Sequence, residues 1–477
     1  MSLLCETVTG RSMAELTTAR DNATAGDLVE LRLDGVADLD VAAALHGRSR
    51  RVIVTCRPTW EGGAFDGSEE ERRRILMQAL TLGADFVDVE WRAGFDDVIG
   101  HAPSRIVLSS HDFDGVPADL VDRARQMRGV GTGFIKIAVT ASRLSDTLGL
   151  PGIAKGGNAA VIGMGEAGVP SRLLASRYGS AWTYSGDGVA PGQLPSSQMI
   201  GLGYRRVGPA TRLFGVVSTN ALHSFSPAMH NAAFCASGID AVYIPLRAAD
   251  FDDFLAYAAA MRIEGASITI PYKLDALRAA GRADDLTRSV GAANTMRRCG
   301  EVWEATNTDV GGFLAPLEAA YGAPLAGVRA SVIGAGGASR AVIVALCSRG
   351  VQVTVHARRA EPARGLASSL GVRAGEWPPP AGSWDLLVNC TPLGGVGKRE
   401  ESPLGRDQLT CGFVYDLTYG AAESALIRDA REMGCRTLDG LPMLVAQAER
   451  QFEWWTGQRP MPGVMADAIR THVARGL

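Results

Sequence analysis

The sequence predicts an α/β protein in two parts, a barrel of eight parallel strands followed by a second α/β unit with a parallel sheet. Three observations predict it. Apolar strand-like runs alternate with helix-like segments through about the first 200 residues, the length of a small eight-unit barrel. A short connection, Tyr204-Arg205-Arg206-Val207-Gly208-Pro209-Ala210-Thr211, then breaks that rhythm. Beyond it, the run Ala330-Ser331-Val332-Ile333 leads into a glycine cluster and a helix-forming segment, Ala341 to Leu346.

The first eight runs are Ser2 to Thr7, Leu28 to Asp34, Arg51 to Arg57, Phe86 to Trp91, Arg105 to His111, Phe134 to Val139, Ala159 to Gly165 and Ala181 to Ser185. Strands that alternate with helices form parallel sheets with helical crossovers, and eight such units make a (β/α)8, or TIM, barrel. In that architecture chemistry gathers at the C-terminal strand ends. Those ends carry Glu30 and Arg32, Arg57 with Glu61 just after, Glu90, His111 and Lys136. One charged strand end is a solvated rim residue, but catalytic residue types on successive strand ends mark a candidate site.

Lys136 is the one charged residue of Gly133-Phe134-Ile135-Lys136-Ile137-Ala138-Val139, a run that otherwise reads as a fully buried strand. Burial disfavours the ammonium and leaves a nucleophilic amine, which imine chemistry on a carbonyl requires. The preceding run ends in His111, whose ordinary pKa suits proton transfer near neutrality. Together with Val29-Glu30-Leu31-Arg32, Thr55-Cys56-Arg57, Ser110-His111-Asp112-Phe113, Ile135-Lys136-Ile137-Ala138, Ser171-Arg172-Leu173 and Ala190-Pro191-Gly192-Gln193, residues 1–206 resemble type I 3-dehydroquinate dehydratase. The resemblance implies that Lys136 forms an imine with the substrate ketone. It implies that His111 removes the α-proton and then protonates the departing hydroxyl, with Glu30 orienting or charging the histidine. Arg172 would pair bidentately with the substrate carboxylate, while Arg32, Arg57 and Gln193 hold hydroxyls. One residue departs from the pattern: Val189 stands before Ala190 where many members of that family carry a hydroxyl.

The connection after residue 206 is too short to behave as a flexible tether, and a new strand, Leu213 to Val217, opens the second part. Its strongest local motif is Gly334-Ala335-Gly336-Gly337-Ala338 between a β-branched strand and a helix. Glycines there permit a tight turn and let a pyrophosphate approach backbone N–H groups at a helix N-terminus. The next strand, Val351 to Val355, runs into His356-Ala357-Arg358-Arg359. An NAD site places Asp or Glu at that point, whereas Arg358 and Arg359 suit a 2′-phosphate, so the expected cofactor is NADP.

Polar motifs precede the glycine cluster: Ser224-Phe225-Ser226-Pro227, Thr269-Ile270-Pro271-Tyr272-Lys273, Gly291-Ala292-Ala293-Asn294-Thr295 and Thr306-Asn307-Thr308-Asp309. Taken singly, each reads as a helix cap or turn. In this order, with Asn389-Cys390-Thr391-Pro392, Asp416-Leu417-Thr418-Tyr419 and Asp439 to Gln447, they resemble the shikimate dehydrogenase family across residues 211–477. The resemblance implies a substrate lobe over 211–312, a Rossmann-like NADP lobe over 313–440, and C-terminal helices over 441–477 that return to the substrate lobe. By the same resemblance, Ser224 and Ser226 bind the substrate carboxylate, and Lys273 and Asp309 form the catalytic pair. Asn294 and Thr269 hold ring hydroxyls, and Tyr419 and Gln447 face the substrate. Ser267 occupies a position where many single-domain members have Asn, a variation of plant-type fused enzymes. His356 and Cys390 read as structural.

The two parts together resemble the plant-type bifunctional enzymes of the shikimate pathway, which convert 3-dehydroquinate to 3-dehydroshikimate and reduce that to shikimate for aromatic amino acid biosynthesis. Two alternatives stay open at this point. Val189 motivates a quinate or shikimate dehydrogenase with an impaired barrel, and pathway folds can also be reused as non-catalytic metabolite sensors. Composition narrows the partners. With 477 residues, 46% hydrophobic and 21% charged, and a net charge of −3, the chain is globular with small-molecule substrates and no call for nucleic acid. It holds neither a long apolar run nor a basic, then apolar, leader, so the expectation is a cytoplasmic protein without membrane contact. Eight scattered cysteines lack metal or disulfide spacing and read as reduced core thiols, and no metal site is expected.

Overall fold

The computed structural model describes residues 2–395, 397–410, 412–420 and 422–474. The chain divides into two compact units: Met1–Arg212 with Asn220–Leu222 and Asp240–Arg262, and Leu213–Thr219 with His223–Ile239 and Ile263–Leu477.

In the first unit the strands are β1 (Leu3–Val8), β2 (Leu28–Arg32), β3 (Arg51–Thr55), β4 (Phe86–Glu90), β5 (Ile106–Asp112), β6 (Phe134–Thr140), β7 (Ala159–Met164) and β8 (Trp182–Ser185). Their order is β7-β6-β5-β4-β3-β2-β1-β8, neighbours in this order pair in parallel, and Ala181 N–H donates to Ala159 O at 2.7 Å where β8 meets β7. This is the expected eight-stranded barrel. Side chains alternate along each strand, and in such a barrel alternate strands contribute to one interior layer. Outward-facing Val29, Leu31, Val52, Val54, Val87 and Val89 pack against helix residues such as Leu16, Leu76 and Leu80. Inward-facing Cys5, Ile53, Val107, Ala160 and Trp182 fill the interior below the polar end.

The chain continues through β9 (Arg212–Ser218), most of which lies in the second unit, and β10 (Ala241–Arg247). The latter belongs to the first unit, together with the helix Phe251–Met261 that Asp250 caps through its hydrogen bond from Asp253 N–H. The second unit adds β11 (Ile263–Ile268), β12 (Arg282–Ala283), β13 (Thr295–Cys299) and β14 (Val302–Thr306). Here β9 and β11 are parallel, β11–β13 and β13–β14 antiparallel, and β14–β12 parallel.

The final sheet consists of β15 (Arg329–Ile333), β16 (Gln352–His356), β17 (Arg373–Ala374), β18 (Leu386–Asn389), β19 (Phe413–Asp416) and β20 (Arg436–Leu438). All are parallel in the order β17-β16-β15-β18-β19-β20, the doubly wound arrangement whose direction reverses between β15 and β18. Ligands bind such sheets beyond the strand ends at that reversal, and the glycine cluster follows β15 there. Val332, Val355, Val388 and Tyr415 form its core with Val342 and Leu346 of the helix Gly337–Cys347. The helix Leu441–Thr456 packs closely on Asp309–Tyr321, because a Cβ at Gly312 would lie 2.7 Å from Gln447 Cβ.

No described helix is long and apolar enough to cross a membrane. None of the described cysteines forms a disulfide, but Cys235, Cys299 and Cys347 are exposed, which corrects the expectation of core thiols. Cys235 and Cys347 lie in the last turns of their helices and Cys299 ends β13, positions that open to solvent. Cys411 lies outside the described residues.

Candidate active sites

Lys136 has apolar neighbours along the chain and charged ones in space. It is 5% exposed, and its Nζ donates to Glu30 Oε1 at 3.1 Å and to Asp88 Oδ2 at 3.2 Å. It also stands 4.2 Å from the centroid of the Tyr184 ring. Barrel geometry explains this company: Glu30, Asp88, Lys136 and Tyr184 sit on β2, β4, β6 and β8, the alternate strands of one interior layer. Odd strands supply the hydroxyls that satisfy the carboxylates. Thr7 and Thr55 each donate to Glu30 at 2.9 Å, and Ser109 donates to Asp88 at 2.6 Å. Burial would push both carboxyls up, but Lys136 and Arg57 outweigh it and hold each below its ordinary value.

The expected partnership of Glu30 with His111 does not form. His111 Nδ1 lies 3.0 Å from Glu61 Oε1, and the same oxygen accepts the His111 backbone N–H at 2.9 Å. Glu30 belongs to the Lys136 layer, whereas Glu61 ends the short turn Thr59–Glu61 that rises from β3 to the level of the β5 end. Burial, then the Arg57 and Lys136 charges, hold His111 well below the usual histidine range, so its imidazole is neutral. Burial pushes Glu61 up to about 7. Phe113 stacks on His111, with ring centroids 6.3 Å apart. Glu61 stands among the strand-end polar residues of the sequence; only its partner was not legible there.

Arg172 is buried, and no acid pairs with it among the described residues. Its nearest acceptors are Tyr184 O and Pro191 O, each at 3.4 Å, and its Nε has no hydrogen-bond partner. Burial lowers its pKa to about 10. A buried guanidinium in that condition can receive a carboxylate. Arg57 differs from the expectation of a free hydroxyl binder: it donates to Glu90 at 2.7 Å, Ser109 at 2.8 Å and Asp88 at 2.9 Å. Arg32 is likewise engaged, bidentate on Asp34 with both bonds at 2.8 Å. Gln193 donates to Thr7 Oγ1 at 3.1 Å. Glu30, Arg32, Arg57, Glu61, His111, Lys136, Arg172 and Gln193 nevertheless line one cavity, with Val189 among them.

The second site centres on Lys273, whose Nζ donates to Asp309 Oδ2 at 2.6 Å. Lys273 opens the helix Lys273–Ala279 and Asp309 opens Asp309–Tyr321, so two helix starts bring the pair together. Asn294 Nδ2 donates to Asp309 Oδ1 at 2.8 Å and to Thr308 Oγ1 at 2.9 Å, and lies 3.4 Å from Gln447 Oε1. The Thr269 backbone is fixed at the β11 end, its N–H donating to Val217 O at 3.2 Å and its carbonyl accepting from Tyr272 N–H at 2.9 Å. Ser224 Oγ accepts the Ser226 N–H at 3.2 Å, and Phe225 between them carries the Tyr419 ring, with centroids 5.6 Å apart. Asp309 adds to burial in raising the Tyr419 pKa. The sequence reading missed Gln451, whose amide accepts from Ser267 at 2.8 Å and donates to Thr295 at 3.0 Å. It stands one helical turn after Gln447, a periodicity that could have found it.

A cleft of about 620 Å³ is lined by Gly334, Ala335, Gly336, Arg358 and Arg359, with Trp377 and Lys398 as residues the sequence reading missed. The residues fit a dinucleotide. Gly334 has φ +108°, which a side chain would strain, and open space faces Gly336. Gly337 and Ala338 begin the helix instead, and a Cβ at Gly337 would lie 3.1 Å from Lys273 Cδ, so the glycine turn abuts the Lys273 stem. Neither Arg358 nor Arg359 pairs with an acid among the described residues. His356 is structural, bonded through Nε2 to Ser331 Oγ at 3.1 Å and through Nδ1 to Glu376 O at 2.7 Å.

Comparison with known proteins finds a family match in each half of the chain. The type I 3-dehydroquinase family matches residues 4–203, the shikimate dehydrogenase substrate binding domain residues 216–296, and the shikimate 5′-dehydrogenase C-terminal domain residues 440–470. A chloroplastic bifunctional 3-dehydroquinate dehydratase/shikimate dehydrogenase of Arabidopsis thaliana is 32% identical over 96% of this chain and 82% of its own. The chain belongs to the bifunctional 3-dehydroquinate dehydratase/shikimate dehydrogenase family. Its second half is also similar to the NADP(+) shikimate dehydrogenase of Salinibacter ruber, 35% identical over 54% of this chain and 97% of the relative. The solved shikimate dehydrogenase of Thermus thermophilus, in complex with NADP(H) and shikimate, has TM-score 0.50 and 35% identity, covering 55% of this chain and 99% of its own.

Proposed function

We propose that the barrel site dehydrates 3-dehydroquinate through an imine on Lys136 and that the Lys273 site reduces 3-dehydroshikimate to shikimate with NADPH. The observation that carries the reading is the single cavity holding a buried lysine, a neutral histidine and a buried guanidinium with no acid partner. Imine formation needs the first, α-proton removal the second, and recognition of the substrate carboxylate the third. Lys136 Nζ adds to the ring ketone and water leaves, giving a C=N bond that withdraws electrons from the α-carbon. His111 takes the α-proton, and the charge of Glu61 stabilises the imidazolium. The imidazolium returns its proton to the departing β-hydroxyl, and hydrolysis of the imine frees Lys136. Glu30 and Asp88 position the lysine, and Arg57 and Arg32 hold that acid cluster in place beside the substrate hydroxyls.

In the second half, Asp309 holds the Lys273 ammonium, Asn294 and Thr269 receive the ring hydroxyls, and Gln447 faces the substrate beside Asn294. Ser224 and Ser226 receive the carboxylate, with Tyr419 on the same side. Arg358 and Arg359 hold the 2′-phosphate, and Gly334, Ala335 and Gly336 the pyrophosphate. NADPH supplies the hydride when bound, and Lys273 supplies the proton to the carbonyl oxygen.

We assign the dehydratase to residues 1–206 and the dehydrogenase to 211–312, 313–440 and 441–477. The free thiols suit the reducing cytoplasm as the expected compartment. The Arabidopsis relative is chloroplastic, and subcellular fractionation decides the point. The catalytic reading is tested by borohydride reduction in the presence of 3-dehydroquinate. The expected result is a covalent adduct on the peptide containing Lys136; an unmodified Lys136 would overturn it.

A further inference from the structure

We propose that residues 240–262, which fall within the span matching the shikimate dehydrogenase substrate binding domain, are a positioning element of the dehydratase. Asp253 and Arg247 act as its two positioning residues. The inference rests on the roles given above to Lys136 and Arg172.

Asp253 is 1% exposed, and its carboxylate is filled by backbone donors: Leu144 N–H at 3.0 Å, Ala249 N–H at 3.1 Å and Ser145 N–H at 2.9 Å. A buried carboxylate is costly unless it is satisfied in this way, so the arrangement is a built contact rather than incidental packing. Leu144 and Ser145 open the turn Leu144–Thr147, four residues beyond the end of the Lys136 strand, and Arg143 beside them pairs with Asp250 at 2.8 Å. Arg247 reaches two loops of the same barrel face. Its Nη1 donates to Ser142 O at 3.1 Å, and its Nε stands 3.7 Å from Glu166 Oε2. Glu166 begins the turn that leads into Val169–Leu173, the helix bearing Arg172.

These loops have no slack. Ala141 N–H donates to Met164 O at 3.0 Å, and Gly165 N–H donates to Pro191 O at 3.1 Å. A Cβ at Gly192 would stand 2.3 Å from Gly165 O. A shift of the turn held by Asp253 or Arg247 therefore reaches Arg172 and the Pro191–Gln193 loop. Below them, the buried Tyr257 and Tyr178 hydroxyls lie 3.2 Å apart, and Tyr178 OH lies 2.9 Å from Thr147 Oγ1. Displacements of about 1 Å at a reacting centre cost up to about a hundredfold in rate.

The test uses the full chain. Asp253→Asn leaves one acceptor oxygen where two are used, and Arg247→Met removes both of its contacts from a half-exposed position that does not threaten folding. In each folded variant, confirmed by its melting temperature, kcat/KM for 3-dehydroquinate falls about tenfold. For Arg247→Met the loss is chiefly in KM, Lys136 still traps with borohydride, and Arg247→Lys restores most of the loss. Dehydratase constants within about twofold of the parent in both variants would overturn the inference. Lys136→Ala is measured alongside. If it stays active, the reading of the barrel site falls and takes this inference with it; if it is dead while both variants are unaffected, the inference alone falls.

Discussion

Glu61 Oε1 accepts the His111 backbone N–H at 2.9 Å and lies 3.0 Å from the ring Nδ1, whose proton an ionised Glu61 receives as a hydrogen bond. The pair fixes both the position and the tautomer of the histidine. With the Nδ1 proton directed at Glu61, Nε2 is left as the base.

Glu61 titrates near pH 7 because burial raises it, while burial keeps His111 neutral far below that. The sign follows: above about pH 7 Glu61 is a carboxylate that stabilises the imidazolium, and below it the protonated acid does so poorly. Dehydratase kcat/KM therefore rises through this region as one proton is lost. Glu61→Gln lowers it by about tenfold or more and flattens that limb. A limb unchanged in Glu61→Gln would assign the titration elsewhere.

Lys136→Ala abolishes dehydration and leaves NADPH-dependent reduction of added 3-dehydroshikimate intact, while Lys273→Ala does the converse. Separate assays on each purified variant check this. If either substitution silenced both reactions in a folded protein, two independent sites would be excluded.

Arg172→Lys raises KM for 3-dehydroquinate about 10- to 100-fold, the range for losing a charge-assisted hydrogen bond. A lysine keeps the charge but not the bidentate fork. Initial-rate kinetics report it, and an unchanged KM would remove Arg172 from carboxylate recognition.

Arg358→Ala and Arg359→Ala each raise the Kd for NADP+ about tenfold and leave that for NAD+ unchanged, because only the former carries the 2′-phosphate. Trp377 lines the same cleft, so quenching of its fluorescence is the readout. Equal weakening of both nucleotides would place these arginines at the pyrophosphate.

Patterns that run along one strand or helix were legible in the sequence. The eight barrel strands appear within a residue or two of the expected runs, because apolar alternation is a local property. The glycine turn after β15 was legible for the same reason, whereas the Lys273–Asp309 pair, from two separate motifs, was legible only through their resemblance to the shikimate dehydrogenase family. Contacts across the barrel were not. Lys136 reads as isolated in its strand, yet Glu30 and Asp88 come from strands about 50 to 100 positions away, and only the layering of alternate strands predicts that meeting. The choice between Glu30 and Glu61 for His111 depends on the height of each carboxylate along the barrel axis, which spacing does not encode. Arg57 reads as a ligand of substrate, but the two acids on β4 engage it first. The role of Asp253 in the first unit had no signal at all, since an acidic residue in a first helical turn reads as an ordinary favourable charge.

The most direct test of the account is NADPH absorbance after mixing the purified protein with 3-dehydroquinate alone. Oxidation of NADPH with shikimate as product is predicted, since that substrate reaches the Lys273 site only after the Lys136 site has dehydrated it. Constant absorbance, followed by consumption once 3-dehydroshikimate is added, would contradict the account by showing a reductase attached to an inactive barrel.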